Sequence, residues 1–303
     1  MIGQRIVADA GGTNLRFAIA TDTNEGLRDL RCYRRSEFRS FLAALEKFVD
    51  DSGCQESCSG IAIGVAGPVD DGVAQMTAGN WCISEAEASA ALGGCPARIV
   101  NDVEAVAFAL PTLQSVDYAH IGSIDEPSQQ QRVMLAINVG TGFGAAAILP
   151  SKSGWVSLSG EPGHMNFCNL DQTGGTPPSP SVESILSGAG VAALISRLGH
   201  TSSATSAVKE FGRDGRLENP LALHFFTEVL GDVAGNLTLA TGAWGGVFFC
   251  GGVIDAWIEQ ADHDRFRTRF ESKGAMTTRM RRVFTGVITK PNIALFGLAG
   301  LSL

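Results

Sequence analysis

Two glycine-rich turns in the chain could hold phosphate groups. The run Asp9-Ala10-Gly11-Gly12-Thr13-Asn14 follows a short apolar segment at 6–8, and Gly140-Thr141-Gly142 comes soon after another at 133–137. Where basic side chains are scarce, phosphate can be bound by backbone N–H groups and hydroxyls. Glycine leaves those N–H groups accessible, and each threonine adds a hydroxyl. A turn that merely requires a positive φ would select the same glycines, and for each turn taken alone this alternative stays open.

Two aspartates add acidic groups to this pattern. Asp9 precedes the first turn and could orient Mg²⁺ through the metal's water shell, because Mg²⁺ keeps several waters beside nucleotide phosphates. Asp102 follows Asn101 where an apolar strand ends and an apolar helical stripe begins. Ligands bind at this carboxyl edge of the sheet in open α/β folds. Helix capping is the simpler explanation of Asp102 from its position alone.

The composition excludes several classes of protein. The 303 residues carry a formal net charge of −8 and show no basic stripe, so we expect no nucleic-acid partner. Seven cysteines without a Cys-x-x-Cys pair predict free thiols in a reducing compartment, and the N-terminal residues do not resemble a signal peptide. The uncharged stretches 133–150 and 237–254 are each interrupted by glycines, which predicts buried elements rather than membrane spans. We therefore expect a cytoplasmic protein.

The pattern of apolar residues predicts alternating strands and helices. Strands are expected at 6–8, 15–20, 60–66, 98–100, 133–137, 143–149 and 247–250, and helices at 38–49, 84–92, 103–110, 183–198 and 221–240. Ser84 and Glu87 have the spacing of a capping box. The polar segment 114–132 is the candidate hinge. Because the strand–turn–strand unit recurs after about 128 residues, the pattern favours a duplicated domain with a cleft between the copies, unless chance similarity of two hairpins explains it.

Six short motifs, taken together, resemble the bacterial glucokinase family, which belongs to the hexokinase–actin–Hsp70 superfamily. They occur in the family's order: residues 9–14, Asn101-Asp102, Gly140-Thr141-Gly142, Gly160-Glu161-Pro162-Gly163-His164, Glu183 with Leu186-Ser187-Gly188, and Gly251-Gly252-Val253. The resemblance implies two α/β domains of ribonuclease-H-like (actin-like ATPase) topology, with mixed sheets flanked by helices and an interdomain cleft. The smaller domain would comprise 1–110 and 291–303, including a last helix at 292–300 that returns to it, and the larger 111–290.

The resemblance also implies ATP-dependent phosphorylation of the 6-hydroxyl of glucose, with ATP and Mg²⁺. Asp102 would be the general base, and the sugar hydroxyls would be bound by Asn101, Asp102, Glu161, His164, Glu183 and Asn80. The phosphates would be bound by Ala8, Asp9, Ala10, Gly11, Gly12, Thr13 and Asn14 and by Thr141 and Gly142. Gly251 and Gly252 would approach the adenosine, and Asp9 would hold Mg²⁺ through water. A homodimer is left open.

Two features depart from related sequences. Pro162 stands where the family usually has glycine, and because proline fixes φ and lacks an N–H, this loop cannot copy a conformation that needs glycine. The placement of Glu161 and His164, and with it the sugar preference, depends on that loop. The chain also lacks the cysteine cluster that binds zinc in ROK sugar kinases and repressors, since Cys168 stands alone after His164. We therefore expect the non-ROK branch and no structural metal.

Three other functions are weighed against this one. The enzyme could act on another hexose, such as mannose, fructose or an amino sugar. A Rossmann dehydrogenase would use Gly140-x-Gly142-x-x-Ala145, or Gly188-x-Gly190-x-x-Ala193 with Glu210, as a dinucleotide fingerprint. A sugar sensor without catalysis would carry an additional DNA-binding domain, for which the sequence before Asp9 leaves no room, and would be expected to lose the base at Asp102.

Overall fold

A computed structural model of the chain describes residues 4–21, 26–54, 58–76, 80–128, 131–167, 180–197 and 220–303. The chain divides into two compact units. Unit 1 consists of Met1–Thr112 and Pro291–Leu303, and unit 2 consists of Leu113–Lys290. Each unit has a mixed sheet with helices packed on it, so the expectation of an α/β fold is confirmed.

Unit 1 is built on a five-stranded sheet. The strands of the unit are β1 (Gln4–Ala10), β2 (Asn14–Thr21), β3 (Leu27–Arg34), β4 (Cys58–Val65), β5 (Val69–Asp70), β6 (Val73–Gln75), β7 (Cys82–Ser84) and β8 (Ala97–Asn101). The main sheet has the order β3-β2-β1-β4-β8, while β5, β6 and β7 form a small separate sheet. The first three strands are antiparallel neighbours, and β4 and β8 run parallel to β1.

The helices in the first part of unit 1 lie between and after these strands: α1 (Phe41–Ser52), α2 (Glu85–Ala91) and α3 (Asp102–Ala109). Helix α1 begins later than predicted because Ser40 is its N-cap and accepts a hydrogen bond from the Ala43 N–H. The predicted capping box of α2 is wrong, since the Ser84 side chain makes no cap hydrogen bond. Ser84 is paired in β7, and the Glu85 N–H donates to the Gly72 carbonyl instead.

Unit 2 repeats the arrangement of unit 1. Its strands are β9 (Tyr118–His120), β10 (Met134–Val139), β11 (Phe143–Ser151), β12 (Gly154–Ser159), β13 (Gly246–Cys250) and β14 (Thr285–Ile288). The sheet has the order β12-β11-β10-β13-β14-β9. The first five positions reproduce the pattern of unit 1, with three antiparallel strands followed by two parallel to the central β10, and β9 is added antiparallel at the edge.

Helices of unit 2 lie between and after these strands. They are α4 (Gly188–Arg197), α5 (Pro220–Thr241), α6 (Gly252–Ile258), α7 (His263–Glu271) and α8 (Thr277–Met280). The uncharged stretch 133–150 is the hairpin of β10 and β11, and 237–254 joins the end of α5 to β13 and the start of α6. Both are largely buried, as predicted. In the described parts of the chain, no helix is long and apolar enough to span a membrane.

Two sequence predictions in unit 2 are corrected by the structure. The polar segment 114–132 is not simply a hinge, because Tyr118–His120 forms β9 and pairs with β14. The residue before β9, Asp117, is buried and its carboxylate accepts a hydrogen bond from Lys290. The helix predicted at 183–198 begins only at Gly188, because 183–187 form turns that are bonded to neighbouring loops.

The last helix, α9 (Ile293–Ala299), packs within unit 1. Leu295, Leu298 and Leu301 share a core with Val7 and Ala62 on one face of the sheet. A Cβ on Gly297 would lie 1.8 Å from the Ala105 carbonyl oxygen, so only glycine permits this approach of α9 to α3. The final residues of the chain thereby complete the core that its first residues begin.

Candidate active site

In unit 1 the predicted residues meet at one edge of the sheet. Parallel pairing aligns Ala10 of β1 with Val65 of β4, and Val65 with Asn101 of β8. The three strands therefore end level with one another. The loops after them are hydrogen-bonded as well: the Ala66 N–H donates to the Ala10 carbonyl over 3.3 Å, and the Asn101 side-chain amide donates to the Gly67 carbonyl over 3.2 Å.

The first glycine-rich turn connects β1 to β2 and is closed by its own backbone. The Gly11 N–H donates to the Asn14 carbonyl over 3.1 Å, and a Cβ on Gly11 would lie 3.2 Å from that oxygen. Gly12 and Thr13 are exposed at the tip, and Asn14 is half-buried. The Ala8 and Ala10 side chains lie in the core. These two side chains are therefore not presented to a ligand, whereas the turn beyond them is exposed at its tip.

Asp9 lies beneath this turn and forms an ion pair that the sequence analysis missed. Asp9 and Arg16 are direct partners across the β1–β2 hairpin, and Arg16 donates to the carboxylate over 3.0 Å. The Asp9 side chain is only 19% exposed. Burial raises the pKa of Asp9 above its ordinary value, although the Arg16 guanidinium acts in the opposite direction. The sequence could have predicted this pair, because the two residues lie equally far along the chain from the centre of the turn.

Asn101 is the N-cap of α3, so the capping role considered for Asp102 belongs to Asn101. The Asn101 side chain accepts from the Val103 N–H over 2.9 Å, and the Glu104 carboxylate accepts from the Asn101 N–H over 3.1 Å. This reciprocal pair is a complete capping box. Its Asn-x-x-Glu spacing is visible in the sequence, but the sequence analysis did not use it. Asp102 is the half-buried first residue of the helix, and the cap does not require its carboxylate.

In unit 2 the Gly140-Thr141-Gly142 turn and the Gly251-Gly252 pair lie at one edge of the other sheet. Asn138 near the end of β10 is aligned with Cys250 at the end of β13. Gly251 follows with φ of 104°, and a Cβ there would lie 2.3 Å from the Asn138 side-chain oxygen and 2.5 Å from the Val139 carbonyl oxygen. Gly252 is exposed, and no atom of the described residues lies within 4 Å of a Cβ built on it. The space beside Gly252 is open to a ligand.

Glu183 closes the turn between β10 and β11. Its carboxylate accepts from the Phe143 N–H over 2.9 Å, and the Gly140 N–H donates to the Gly142 carbonyl over 3.0 Å. A Cβ on Gly142 would lie 2.5 Å from the same carboxylate, so glycine is needed for this contact. Thr141 remains exposed at the tip of the turn.

The loop at 160–164 is joined to this turn through Glu183. The Glu183 N–H donates to the Gly163 carbonyl over 2.9 Å. Gly163 is buried, and a Cβ on it would lie 2.4 Å from the Phe143 carbonyl oxygen. Glu161 and His164 are exposed, and the His164 N–H donates to the Glu161 carbonyl over 3.1 Å. Glu161, His164 and Glu183 therefore belong to one bonded assembly in unit 2.

Pro162 fits the conformation of this loop. It is the first residue of a 3₁₀ turn at Pro162–His164. At such a position the N–H of a residue has no partner within the turn, and the fixed φ of proline suits the helical start. The close approach that demands glycine in this loop occurs at Gly163, which the sequence analysis did not single out.

Asn80 lies apart from these contacts. It is an exposed residue in a bend before β7 of unit 1. Among the described residues, it has no hydrogen bond to another predicted sugar-binding residue. Trp81 beside it packs against the unit 1 core, and the Arg35 guanidinium lies 5.1 Å from the centre of its ring.

Several candidate residues fall elsewhere. Cys168 and Glu210 lie outside the described residues. The described part of the chain contains no group of three or more His, Cys, Asp or Glu side chains that could hold a metal ion. The Rossmann alternative is wrong, because 183–187 form turns where a strand is required and Gly142 is followed by β11 where a helix is required.

The residues at these turns offer donors for ATP and Mg²⁺. Both glycine-rich hairpin turns have an accessible backbone and a threonine at an exposed tip, as phosphate binding requires. Asp9 is one carboxylate at the base of a turn, and Mg²⁺ beside nucleotides uses one or two carboxylates with phosphate oxygens and waters. The residues fit both groups, with the Arg16 ion pair competing for the Asp9 carboxylate.

The similarity to known proteins extends along nearly the whole chain. The family described as glucokinase matches residues 6–302. A glucokinase of Caulobacter vibrioides is 31% identical over 318 residues, which cover 98% of this chain and 94% of that protein. The crystal structure of a glucokinase from an Antarctic psychrotroph has a TM-score of 0.84 at 27% identity and covers 99% of this chain and 98% of that one.

Other relatives are longer than this chain. The bifunctional protein glk of Burkholderia pseudomallei is 30% identical over 314 residues, which cover 99% of this chain and 48% of that protein. The chain thus spans about half the length of the bifunctional relatives that it matches. The family match and the relative at 31% identity together show that the chain belongs to the glucokinase family.

Proposed function

We propose that the protein is an ATP-dependent hexose kinase that converts D-glucose to glucose 6-phosphate. The observation that carries the proposal is the position of Asp102, at the first residue of a helix whose cap is supplied entirely by Asn101 and Glu104. Asp102 therefore lies at the sheet edge that the first glycine-rich turn also follows. Family membership supports the same reaction.

In this proposal Asp102 accepts the proton of the sugar 6-hydroxyl. The hydroxyl oxygen forms a bond to the γ-phosphorus of ATP, the bond from that phosphorus to the bridging oxygen breaks, and ADP leaves with the electron pair. A positioned base contributes about 10²–10⁴-fold to such a step. Most of the remaining acceleration comes from positioning and neutralisation of charge, because phosphoryl transfer needs little covalent help.

Sugar binding is assigned to Asn101, Glu161, His164 and Glu183, with Asn80 as an additional contact. The Asn101 amide is used twice within the protein, but its oxygen keeps one lone pair and its nitrogen one hydrogen for a hydroxyl. Glu161 and His164 are exposed on a loop whose backbone is fixed by Glu183. Sites built on such polar groups reject analogues that lack a hydroxyl.

Phosphate binding is assigned to the tips of the two hairpin turns, Gly11 to Asn14 in unit 1 and Thr141-Gly142 in unit 2. Gly251 and Gly252 would allow the adenosine to approach closely. Asp9 would hold Mg²⁺ through water. When bound, Mg²⁺ would neutralise charge that develops on the phosphates. Ala8 and Ala10 would contribute only through the course of β1, because their side chains are buried.

The finer description of the protein belongs to the same proposal. The shared strand order of the two sheets supports two ribonuclease-H-like domains of the hexokinase–actin–Hsp70 superfamily, with bounds near those of units 1 and 2. We propose the non-ROK branch, a cleft between the domains as the site of sugar and ATP, and a cytoplasmic location. A homodimer stays open.

The experiment that tests this proposal is ADP release by the purified protein with Mg·ATP. Glucose, mannose, fructose, glucosamine and N-acetylmannosamine are compared with a reaction that lacks sugar. The expected result is the highest rate with glucose and little ADP release without sugar. A higher rate with another hexose would overturn the assignment of glucose and direct attention to residues 160–164. Folded protein that is inactive with every sugar would overturn catalysis and favour a sugar sensor.

A further inference from the structure

A cavity of about 450 Å³ in unit 2 is lined by three arginines. Arg132, Arg279 and Arg282 surround it together with Trp244 and Thr278. None of the described residues that line it is acidic. In a chain with a formal net charge of −8, such a concentration of guanidinium groups, with no carboxylate among the described lining residues, is unexpected for a purely structural feature. It provides an attractive environment for an anion.

Two of these guanidinium groups have no ionic partner in the part of the chain that the structure describes. Within the described residues, neither Arg279 nor Arg282 forms an ion pair. Arg281 lies between them in sequence and is paired with Glu271, so the segment does contain a compensated arginine. The Arg279 guanidinium lies 3.9 Å from the centre of the Trp244 ring, which restricts its orientation at the cavity. A preorganised guanidinium loses less entropy when it binds an oxyanion.

The cavity is distinct from the candidate active site. Arg132 precedes β10, Trp244 precedes β13 and Arg282 precedes β14, and these three strands are parallel. The cavity therefore lies at the amino ends of the strands, where the Gly245 N–H donates to the Val133 carbonyl over 2.8 Å. The glycine-rich turns follow the carboxyl ends of β10 and β13. Six residues of β10 separate the two edges by about 20 Å.

We propose that this cavity is a second binding site, specific for a small phosphate monoester. The planar guanidinium groups of Arg279 and Arg282 and the Thr278 hydroxyl supply more N–H and O–H donors than one carboxylate can use, and with the Arg132 charge beside them they suit the three terminal oxygens of a dianionic phosphate. The volume exceeds that of inorganic phosphate and leaves space for the organic part of the ligand. The proposal does not depend on the hexose kinase assignment.

The test is isothermal titration calorimetry of the full chain at low ionic strength, without sugar or nucleotide. Glycerol 2-phosphate is the probe, and inorganic phosphate and malonate are the comparison anions. We expect glycerol 2-phosphate to bind more tightly than either. We also expect Arg282→Gln to weaken binding at least about tenfold and Arg279→Gln/Arg282→Gln to abolish it, since charge-assisted hydrogen bonds are strong. Arg281→Gln is the matched control, with unchanged affinity. Circular dichroism confirms that each variant is folded.

Four results would overturn the proposal. Wild-type protein that binds none of the anions has no such site. Equal loss of affinity in Arg281→Gln and Arg282→Gln would indicate attraction by overall charge, and unchanged affinity in the double variant would place the anion elsewhere, for example at the glycine-rich turns. Tighter binding of malonate than of glycerol 2-phosphate would exclude the phosphate monoester as the ligand class.

Discussion

At the residue scale, burial of the Asp9 carboxylate disfavours its charged form. Asp9 is shielded from solvent beneath the first glycine-rich turn, and one cation, Arg16, is bonded to it. Burial raises the pKa of Asp9 above 3.8 in spite of that cation. Residues that reduce stability in this way are often retained because function needs them. The position of Asp9 agrees with its proposed role near bound phosphates.

This raised pKa gives a prediction for stability. A carboxyl with a higher pKa in the folded than in the unfolded chain binds its proton more tightly when folded, so the free energy of unfolding falls as pH rises from 3.8 through the raised pKa. Asp9→Asn cannot ionise. The free energy of unfolding of the wild type, minus that of Asp9→Asn, should therefore decrease between pH 4 and pH 7. Urea denaturation at several pH values measures it, and an increase over that range would contradict the prediction.

Two substitutions of Glu183 test how sugar binding and phosphate binding are connected. Its carboxylate accepts from the Phe143 N–H, next to the Thr141-Gly142 turn. Glutamine can still accept that hydrogen bond, whereas alanine cannot. We predict that Glu183→Gln raises the KM for glucose and leaves the KM for ATP unchanged, and that Glu183→Ala raises both. Steady-state kinetics of the two variants measure both KM values. An unaltered glucose KM in Glu183→Gln would remove this residue from the sugar site.

At the scale of elements, the start of α3 fixes Asp102. The Asn101 side chain caps the helix and also holds the Gly67 carbonyl, so it connects the ends of β4 and β8. A capping side chain is worth about 1 kcal/mol, and up to about 2 kcal/mol. The same hydrogen bonds that stabilise the helix therefore determine where the proposed base lies.

Substitution of the cap should affect stability and turnover together. We predict that Asn101→Ala lowers the free energy of unfolding by about 1–2 kcal/mol and lowers kcat at saturating glucose, because displacement of a base by about 1 Å can cost about 10²-fold. Asn101→Asp keeps the acceptor for the Val103 N–H and should lose less stability. Chemical denaturation and kinetics on both variants provide the comparison. Equal stability of Asn101→Ala and the wild type would contradict the importance of the cap.

Much of the fold could be predicted from local patterns. Apolar runs and glycine-rich turns identified β1, β2, β10, β11 and β13, because hairpin strands and their turns leave clear local signals. The start of α4 could not be predicted, since Glu183 is bonded to Gly163 and Phe143, which are distant in sequence, and 183–187 form turns instead of a helix. The strand at 118–120 was missed because it is short and lies in a polar segment.

The candidate site was predictable to a similar extent. Motif residues such as Asp102 and Gly142 were identified by type and spacing, and the resemblance supplied their roles. Arg16 and Gly163 were not found, because their importance depends on a partner across a hairpin and on a backbone atom from another loop. That Pro162 begins a 3₁₀ turn could not be seen from the sequence either.

At the scale of the whole molecule, the chain begins and ends in the same unit. Helix α9 packs against α3, the helix that begins with Asp102, and Gly297 lies at the closest point of this contact. The position of the proposed catalytic residue therefore depends on the last dozen residues of the chain. This dependence could not be seen from the motifs, which are contained in short segments.

Gly297 provides the corresponding test. We predict that Gly297→Ala lowers the free energy of unfolding by about 1–3 kcal/mol or more, because its Cβ would meet a backbone oxygen that cannot move aside. The KM for glucose and kcat should also be affected through α3. Gly300→Ala is the control, since its Cβ would make an ordinary contact at 3.6 Å. Thermal unfolding of both variants measures the difference, and equal stability would contradict the packing described for α9.

The central claim is that Asp102 is the base of a hexose kinase, and Asp102→Asn tests it most directly. Two quantities are measured on the same preparation: kcat for ADP release with glucose and Mg·ATP, and glucose affinity by calorimetry. The account predicts that kcat falls by about 10²–10⁴-fold, while glucose affinity stays close to the wild-type value because asparagine keeps the shape of the side chain and an acceptor oxygen. A variant with nearly normal kcat would contradict the assignment of Asp102 as the base.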